Sequence, residues 1–372
     1  YAVPASFSIP ASRLTTGIPA EGEILTLQTN LYGGSRSYAI PIYPNQLPGS
    51  VIAGVKPTST LDEALAAHEF LTLLGDGQLA TIPGDWHVNG DLIIPKGYTL
   101  FIPENTSLRF GEGNIFFVSG TLEMAGSEDA PILLTAQNEN WGGMVVLNAS
   151  GTSQLRYVQI EKTAGIPTPG WVLTGGVTFY ESAVEISHSV IGDNATEDAL
   201  NVIRAPFEFS YVEFRNTPSD AFDGDFTTGT ATNCSFHDIQ GDAFDVSGSH
   251  VSISDSYFAN IADKAISAGE GSAITLDNLV IRNVNIGIAS KDLSLVRVSN
   301  SLIDAAHVAG LAAYIKKPQY GPAIIEANEL ELLNTALPAI CQTDSEIILN
   351  GESIRPENID VDAMYTQGIL GK

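Results

Sequence analysis

Residues 219–226 read Ser-Asp-Ala-Phe-Asp-Gly-Asp-Phe, and residues 241–248, one step of 22 further on, read Gly-Asp-Ala-Phe-Asp-Val-Ser-Gly. The same spacing joins one column of small residues and two columns of large apolar residues. They are Ala199, Ala221, Ala243, Ala265 and Gly287; Leu200, Phe222, Phe244, Ile266 and Ile288; and Phe214, Phe236, Phe258, Val280 and Leu302. Because side chains in such columns pack on their equivalents one turn away, the pattern predicts a solenoid.

The repeat is too short for a pair of helices, and its composition favours strands. Segments such as 251–254 alternate apolar and polar residues, and Asn or Asp marks the corners at Asn216, Asp238 and Asn260. Three short strands and three turns per repeat describe a parallel β-helix, and parallel crossovers are almost always right-handed. The predicted fold class is all-β: a right-handed parallel β-helix, a solenoid with an N-terminal capping α-helix.

Four segments are predicted along the chain. Residues 1–57 form an irregular β-rich lead-in, interpreted as the end of a preceding domain, with a strand at 23–27. Residues 58–78 form a capping helix, with a capping box from Ser59 to Asp62 and apolar residues at helical spacing until Gly75. Residues 79–330 form the β-helix, with an expelled loop near 160–176, and residues 331–372 form a C-terminal closing segment. The helix is expected to cover the open end of the apolar interior.

Composition limits the partners of the chain. The 372 residues carry 17 Lys and Arg against 43 Asp and Glu, a formal net charge of −26. This charge argues against nucleic acid and anionic membrane surfaces and favours cations. No apolar run approaches the length of a membrane span, so no membrane insertion is expected. The sequence opens on Tyr1 without a signal region, which predicts either a removed leader or a piece of a longer chain with other domains.

A polar ladder follows the outer face of the strands that contain Phe222 and Phe244. Neighbours of these inward residues point outward, because side chains alternate along a strand. The outward columns run Asn201, Asp223, Asp245, Ser267, Ala289, and Ile203, Asp225, Ser247, Gly269, Lys291. With coils about 4.8 Å apart and alternate residues about 6.6 Å apart, three of these aspartates lie within roughly 5–8 Å of one another.

These three aspartates, Asp223, Asp225 and Asp245, are the predicted metal ligands. Carboxylates that close repel one another, and calcium with oxygen ligands is the simplest ion that would offset the repulsion. Two alternatives involve no metal. The patch is then either a solvated acidic surface or a set of carboxyl groups that retain their protons.

The same face carries residues suited to removing the proton beside a sugar carboxylate. That reaction needs a cation to hold the carboxylate and a base to take the proton. The candidate catalytic residues are Lys291, Arg204, Tyr180 and Tyr314. The candidate substrate-binding residues are Asn201, Ser247, Ser267, Glu270, Asp292, Lys316 and Lys317. Two alternatives stay open: Lys291 forms an ordinary surface ion pair with Asp292 or Glu270, or two aspartates hydrolyse a glycosidic bond.

The chain resembles the pectate-lyase-like superfamily of right-handed parallel β-helices over about residues 80–325. It is also similar to secreted bacterial β-helix proteins found with CotH-type modules. The resemblance rests on residues 175–182 (Gly-Gly-Val-Thr-Phe-Tyr-Glu-Ser), 219–226, 263–270 (Asp-Lys-Ala-Ile-Ser-Ala-Gly-Glu) and 287–292 (Gly-Ile-Ala-Ser-Lys-Asp). It is specific for the fold. The Asp-Pro-His-Asp motif of alginate epimerases is absent, and Lys291 with Arg204 and Glu270 is only loosely similar to the catalytic set of chondroitinase-like lyases.

Two classes of function fit these features. The first is a secreted, extracellular or cell-surface lyase or C5-epimerase that acts with calcium on an acidic (uronate) polysaccharide. The second is a non-catalytic carbohydrate-binding, adhesin or stalk module of a larger surface protein that contacts another glycan. The polar ladder favours the enzyme, whereas the opening at Tyr1 and the charge of −26, which repels polyanions, favour the module.

Overall fold

The computed structural model describes residues 57–166 and 173–371, preceded by two strands between residues 25 and 42. The helices are Leu61–Ala67 (α1) and Val361–Thr366 (α2). The first strands are Leu25–Asn30 (β1), Ser37–Ile42 (β2), Leu71–Gly75 (β3), Gln78–Thr81 (β4), Gly84–Val88 (β5), Leu92–Ile94 (β6), Thr99–Pro103 (β7), Thr106–Phe110 (β8), Ile115–Val118 (β9), Thr121–Ala125 (β10), Ile132–Ala136 (β11), Gly143–Leu147 (β12), Ser153–Arg156 (β13), Val158–Glu161 (β14), Gly175–Tyr180 (β15) and Val184–Gly192 (β16). The later strands are Asp198–Ile203 (β17), Pro206–Thr217 (β18), Asp220–Asp225 (β19), Thr228–Thr232 (β20), Ser235–Ile239 (β21), Phe244–Ser247 (β22), His250–Ser254 (β23), Tyr257–Gly269 (β24), Ala273–Asp277 (β25), Val280–Lys291 (β26), Leu295–Tyr314 (β27), Ile324–Leu333 (β28), Ala339–Cys341 (β29), Glu346–Leu349 (β30) and Glu352–Ser353 (β31).

From β4 onward the strands form three parallel stacks, because each coil contributes one strand to each stack. Stack A begins with β4, β7 and β10 and ends at β30. Stack B begins with β5, β8 and β11. Stack C starts β6, β9, β12 and continues through β15, β17, β19, β22, β24 and β26 to β27 and β29. Long strands such as β27 turn the corners and contribute to more than one stack. The predicted parallel β-helix is confirmed.

The residues that predicted the repeat form the core in the expected register. Leu200 pairs with Phe222, Phe222 with Phe244, and Phe244 with Ile266. These side chains are fully buried, as are the alanines that precede them. Burial of stacked apolar side chains between coils is therefore the main stabilising contribution along the axis.

The third predicted column changes its register after Phe258. Phe258 pairs with Ile281, which pairs with Ile303, so the predicted partners Val280 and Leu302 are wrong by one residue. The cause is one extra residue in the turn after Gly269: Ser247 pairs with Gly269 at a spacing of 22, but His250 pairs with Ala273 at 23. A second irregularity between 261 and 264 restores the 22-residue spacing in stack C.

The N-terminal cap differs from the predicted helix over residues 58–78. The helix ends at Ala67, and the capping box joins Thr60 to Glu63 instead of Ser59 to Asp62. Residues 71–81 form an antiparallel hairpin, because Asp76-Gly77 is a strong turn signal and β4 pairs with the first coil. Ala64 lies in the core, with Leu61 and Leu65 packed against it, so the short helix covers the end of the interior.

The other predicted boundaries also shift. Parallel pairing continues past residue 330 to Leu349, and α2 follows in the closing segment. The predicted strand at 23–27 overlaps Leu25–Asn30, which pairs antiparallel with Ser37–Ile42. The rest of the lead-in and most of the predicted loop near 160–176 lie outside the described residues.

Phe236 offers a test of the stacking. Its ring lies between Phe214 and Phe258, with centroids 4.7 Å apart on both sides and nearly parallel planes. We expect Phe236→Ala to lower the free energy of unfolding by about 3–5 kcal/mol, because it opens a cavity in a fully buried column. Urea unfolding followed by circular dichroism measures the change. Leu337→Ala, at a site 49% exposed, is the control with little expected loss, and equal losses in the two variants would contradict the stacking account.

Candidate active site

The outer face of stack C has three zones along the axis. An apolar N-terminal zone consists of Ile115, Phe117, Val145, Leu147, Tyr180 and Ile203, packed with Ile166 and Leu173. An apolar C-terminal zone consists of Ile286, Ala289, Ala309, Ala312, Tyr314 and Ile340, packed with Val361 and Leu370. The charged residues lie between these zones, on the coils that contain β17, β19, β22 and β24, and Lys291 joins them from the end of β26. The candidate site is therefore confined to the middle of the face.

A column of charged residues opens each of these coils. It runs Asp198, Asp220, Asp242 and Lys264, spaced by 22. The register stays at 22, but the alternation of side chains is broken after each of the first two aspartates, because the alanine and the large apolar residue that follow both lie in the core. This irregular step brings residues three apart, such as Asp242 and Asp245, to the same side.

The carboxyl groups of Asp220, Asp242 and Asp245 form the acidic cluster. One oxygen from each lies within 4.8 Å of the others. The backbone N–H of Asp242 donates to Asp220 Oδ1 at 2.7 Å, which holds two of the three together across adjacent coils. Such proximity is unfavourable unless protons or cations neutralise part of the charge.

Lys264 supplies one neutralising charge. Its Nζ donates to Asp263 Oδ1 at 2.8 Å and to Asp242 Oδ1 at 3.2 Å, and the ammonium group is buried. Burial opposes the ionised form of Asp242, but the charges of Lys264 and Lys291 and the hydrogen bonds from Lys264 outweigh it, so the pKa of Asp242 is lowered. Burial also opposes the charge of Lys264, but Asp242 and Asp263 raise its pKa. Asp242 is therefore a carboxylate and Lys264 a cation at neutral pH.

Lys291 supplies a second neutralising charge. Its Nζ lies 3.7 Å from Asp245 Oδ1. The alkyl chain passes over Gly269, where a Cβ would lie 3.6 Å from Lys291 Cε. The side chain was expected to be exposed, but it is buried. Burial opposes its charge, yet Asp245 and the other acidic groups outweigh burial and raise the pKa of Lys291.

In three other aspartates of this face the pKa is raised. Burial, followed by the charges of neighbouring carboxylates, raises the pKa of Asp220 to about 8 and that of Asp198 to about 7. The same causes raise the pKa of Asp223 well above its usual range. One carboxyl group that holds its proton, Asp220, therefore lies beside one that stays ionised, Asp242.

The predicted metal ligands are only partly grouped as expected. Among the described residues, Asp245 belongs to the acidic cluster, and its partners there are Asp220 and Asp242 in place of Asp223 and Asp225. The donor set still consists of oxygen atoms, which suits calcium. Three buried polar atoms beside it, Asp245 Oδ1, Asp198 Oδ2 and Ser267 Oγ, have no hydrogen-bond partner in the structure.

The four predicted catalytic residues do not form one site. Tyr180 pairs with Ile203, and five coil steps at about 4.8 Å separate Tyr180 from Lys291, roughly 24 Å along the axis. Arg204 Nη1 donates to the Tyr180 hydroxyl at 2.8 Å, on the side of the N-terminal zone. Tyr314 is fully buried, and its hydroxyl bonds that of Tyr365 at 2.8 Å. Of the four, only Lys291 contacts the acidic cluster.

Most of the predicted substrate-binding residues are engaged within the protein. Asn201 donates to the Asp223 carbonyl at 3.1 Å, and Glu270 accepts from Ser247 Oγ and pairs with Lys317. Asp292 Oδ1 accepts from the backbone N–H groups of Lys316 and Lys317 at 2.7 and 2.6 Å. The Lys316 ammonium lies 4.5 Å from the centroid of the Tyr365 ring. Ser267 is the exception, since its hydroxyl is buried without a partner.

Several residues of the site escaped the sequence analysis. They are Asp198, Asp220, Asp242, Asp263, Lys264 and Tyr365. The 22-residue column of Asp198, Asp220, Asp242 and Lys264 was a signal that could have found four of them. Strict strand alternation assigned that column to the opposite face from Asp223 and Asp245. Tyr365 lies on α2, outside the repeat, so periodicity carried no signal for it.

Comparison with known proteins supports the fold. Residues 204–331 match a family model described as a right handed beta helix region. No curated protein sequence matches the chain significantly. In the described part of the chain, no helix has the length and hydrophobicity needed to cross a membrane. The chain is thus a right-handed parallel β-helix, as the resemblance implies, while the association with CotH-type modules stays a prediction.

Three solved structures illustrate the structural similarity. The periplasmic alginate epimerase AlgG is 10% identical, with 90% of this chain and 99% of that chain covered and a TM-score of 0.42. The A-module of the mannuronan C-5 epimerase AlgE4 of Azotobacter vinelandii is 12% identical, with 81% and 95% covered and a TM-score of 0.46. An alginate lyase of Paenibacillus sp. str. FPU-7 is 11% identical, with 65% and 92% covered and a TM-score of 0.38. At these values the function has to be argued from the residues of this chain.

The protonated aspartate predicts a pH dependence of stability. Between the usual pKa near 3.8 and the raised value of about 8, folded Asp220 holds a proton that the unfolded chain has released. Stability therefore falls as pH rises through this window, by up to about 1.4 kcal/mol per unit for each such group. In Asp220→Asn the fall in the free energy of unfolding between pH 5 and pH 8 should be smaller. Urea unfolding at a series of pH values tests this.

Glu123→Gln, at an exposed carboxylate on stack A, is the control and should keep the wild-type slope. A slope unchanged by Asp220→Asn would contradict the assignment of the proton.

Proposed function

We propose that the chain is a polysaccharide-acting enzyme whose acidic cluster performs acid–base catalysis on a glycosidic bond. The observation that carries the proposal is the pairing of Asp220 and Asp245. The two carboxyl groups lie on adjacent coils with oxygen atoms within 4.8 Å, and both are partly exposed. Asp220 holds a proton near neutral pH, whereas Asp245 lies beside the ammonium group of Lys291. Two carboxyl groups in such different surroundings suit the two roles that glycoside cleavage requires.

The separation favours a double displacement. Retaining glycosidases place their carboxyl groups about 5–5.5 Å apart, and inverting ones about 6.5–9.5 Å apart. Asp220 gives its proton to the glycosidic oxygen as the bond from that oxygen to the anomeric carbon breaks. A carboxylate oxygen of Asp245 forms the new bond to that carbon. Water then attacks the same carbon, gives a proton back to Asp220 and releases Asp245.

The lysine and tyrosine are poor bases in these surroundings. Lys291 is held as a cation by Asp245, so its contribution is a positive charge 3.7 Å from that carboxylate. Burial, followed by the proximity of Tyr365, raises the pKa of Tyr314 well above its usual range. General bases work best when their pKa lies near the working pH. The aspartates are therefore better suited to proton transfer than Lys291 or Tyr314.

A second candidate is the calcium-dependent lyase or C5-epimerase of an acidic (uronate) polysaccharide. Asp245 Oδ1 and Asp198 Oδ2 favour it, since they accept no hydrogen bond and are oxygen ligands of the kind that calcium binds. Asp220, Asp242 and Asp245 would hold the ion, with Asp223 and Asp225 on the same face. When bound, calcium would neutralise a uronate carboxylate and make its neighbouring proton more acidic. Without an ion the acidic cluster repels a uronate chain, so calcium dependence separates the two candidates.

Either activity is proposed to take place in an extracellular or cell-surface protein, since polysaccharides of this kind are met there. The alternative proposal, a non-catalytic glycan-binding, adhesin or stalk module, uses the same fold without the chemistry. It predicts binding or support and no bond cleavage. The experiments below distinguish it from both enzymes.

The enzyme is tested by incubation with a panel of neutral and uronate polysaccharides, with and without calcium. Hydrolysis releases reducing ends without absorbance near 235 nm, and elimination produces both. C5-epimerisation produces neither, so proton NMR of the uronate polymers is recorded as a third readout of activity. We expect hydrolysis, and a decrease of at least about 100-fold in rate for Asp220→Asn, the usual scale for loss of a proton-transfer group. Asp245→Asn should lower the rate at least as much, because it removes the nucleophile. Glu123→Gln should keep the wild-type rate. Folded variants with full activity would remove these aspartates from the mechanism, and inactivity of the wild type on the whole panel would favour the non-catalytic module.

The stabilisation by bound calcium should depend on pH. Because Asp220 holds its proton up to about pH 8, protons compete with the ion, and the calcium-dependent rise in melting temperature should grow between pH 6 and pH 9. Asp220→Asn with Asp245→Asn should abolish the rise. Thermal unfolding at several calcium concentrations measures it. The same rise in this double variant, or none in the wild type at any pH, would contradict a calcium site here.

A further inference from the structure

The acidic cluster is closed along the axis on its N-terminal side. Asp225 pairs with Ile203, which packs with Tyr180, Ile166 and Leu173 in the N-terminal zone. These side chains are almost fully buried although they lie on the outer face of the stack. One coil before the cluster, the face is therefore covered and apolar.

The C-terminal segment closes the other side. Val361 and Leu370 belong to the same apolar cluster as Ala289 and Ala312 of the outer face, and the Tyr365 hydroxyl bonds that of Tyr314. The backbone then passes directly over the buried ion pairs, since a Cβ on Gly371 would lie 2.7 Å from Asp263 Oδ2 and 2.9 Å from Lys264 Nζ. A linear polymer cannot continue along the face past this point.

Little of the polar face stays open between the two walls. Asn201 at one end is 1% exposed and Ser267 at the other is 0% exposed, whereas Asp220 and Asp245 between them are partly exposed. The open part thus spans two adjacent coils, about 4.8 Å apart. That is room for about one sugar ring.

The floor at the edges of this opening carries polar atoms that lack partners. Ser267 Oγ lies one coil beyond Asp245 in the same outward column and has no hydrogen bond, and Asp198 Oδ2 on the other side has none either. Buried polar atoms of this kind cost free energy unless a ligand or water satisfies them. The two atoms are themselves closed to solvent, so they mark the limits of the open part of the polar face.

We infer that the acidic cluster accepts the end of a glycan chain and excludes its internal segments. The inference rests on the proposed action on a polysaccharide. It adds that the enzyme is exo-acting, with Tyr365 and the segment around it as the wall that stops the chain. Products are then single sugars or very short fragments from one end.

Binding per chain end tests the inference without depending on turnover. The double variant Asp220→Asn with Asp245→Asn removes cleavage, and the probes are xylan, polygalacturonate and alginate. Each is used as the native polymer and as a partial hydrolysate of about one-tenth the length. At equal mass the hydrolysate carries about tenfold more ends. We expect half-saturation, measured by calorimetry, at about tenfold lower mass concentration for the hydrolysate of the polymer that binds.

Equal binding per mass would overturn the inference and leave the proposed function standing. No binding of any probe, by this variant or by the wild type, would overturn both. Viscosity supplies an independent check on the wild type: an exo-acting enzyme releases reducing ends with little early loss of viscosity, and an early collapse of viscosity would also overturn the inference.

Variants of Tyr365 test whether the C-terminal segment is the wall that stops the glycan chain. Tyr365→Ala, made in the double variant, should reduce the tenfold preference for the hydrolysate towards equality, because it opens the face beyond Lys291. Tyr365→Phe keeps the ring and should keep the preference, and Thr366→Ala, exposed on the same helix, is the matched control. Circular dichroism confirms that each variant is folded. A full tenfold preference in Tyr365→Ala would contradict the role of this wall.

Discussion

The charge of Lys264, held between Asp242 and Asp263, is the interaction on which the site depends. All three side chains are buried or nearly so, and removing one partner of a buried ion pair leaves an uncompensated charge that typically costs about 3–5 kcal/mol. Lys264 continues the column that contains Asp198, Asp220 and Asp242. Because the fourth member is a cation, the third member stays ionised, whereas burial and the charges of neighbouring carboxylates raise the pKa of the first two. With a lysine in place of a fourth aspartate, the carboxyl groups of this column thus differ in pKa.

The fold itself has a simpler origin. Stacked apolar columns give each coil the same neighbours, so the helix grows by repetition and needs only its ends covered. The two elements that cover the ends are α1 and the segment that contains α2, and they cover different surfaces. The first covers the interior, whereas the second lies on the outer face of stack C and limits access to the charged residues. The element that finishes the fold is also the one that shapes the opening of the site.

The sequence was informative wherever repetition carried the signal. The period predicted the parallel β-helix and the register of Phe222, Phe244 and Ile266, and it placed Asp245 on the outer face. It failed where one residue is inserted, after Gly269, and where the chain leaves the repeat, as in the hairpin that replaces the second half of the predicted N-terminal helix. Of the three members of the acidic cluster only Asp245 was predicted, because strict alternation cannot foresee the irregular step between Asp242 and Asp245. Tyr365 approaches the site only through tertiary packing, which no local pattern encodes. The same fold supports many activities, so the function has to be argued from these side chains.

Direct titration of the aspartate carboxyl groups tests this account most sharply. Carbon-13 labelling of aspartate, with Asp220→Asn and Asp242→Asn used to assign the two resonances, allows each group to be followed by NMR from pH 3 to pH 10. The account predicts that Asp220 titrates near pH 8, whereas the pKa of Asp242 lies below its usual value. Titration of both groups together near pH 4 would show that Lys264 does not separate their pKa values, and would contradict the assignment of Asp220 as the proton donor of the site.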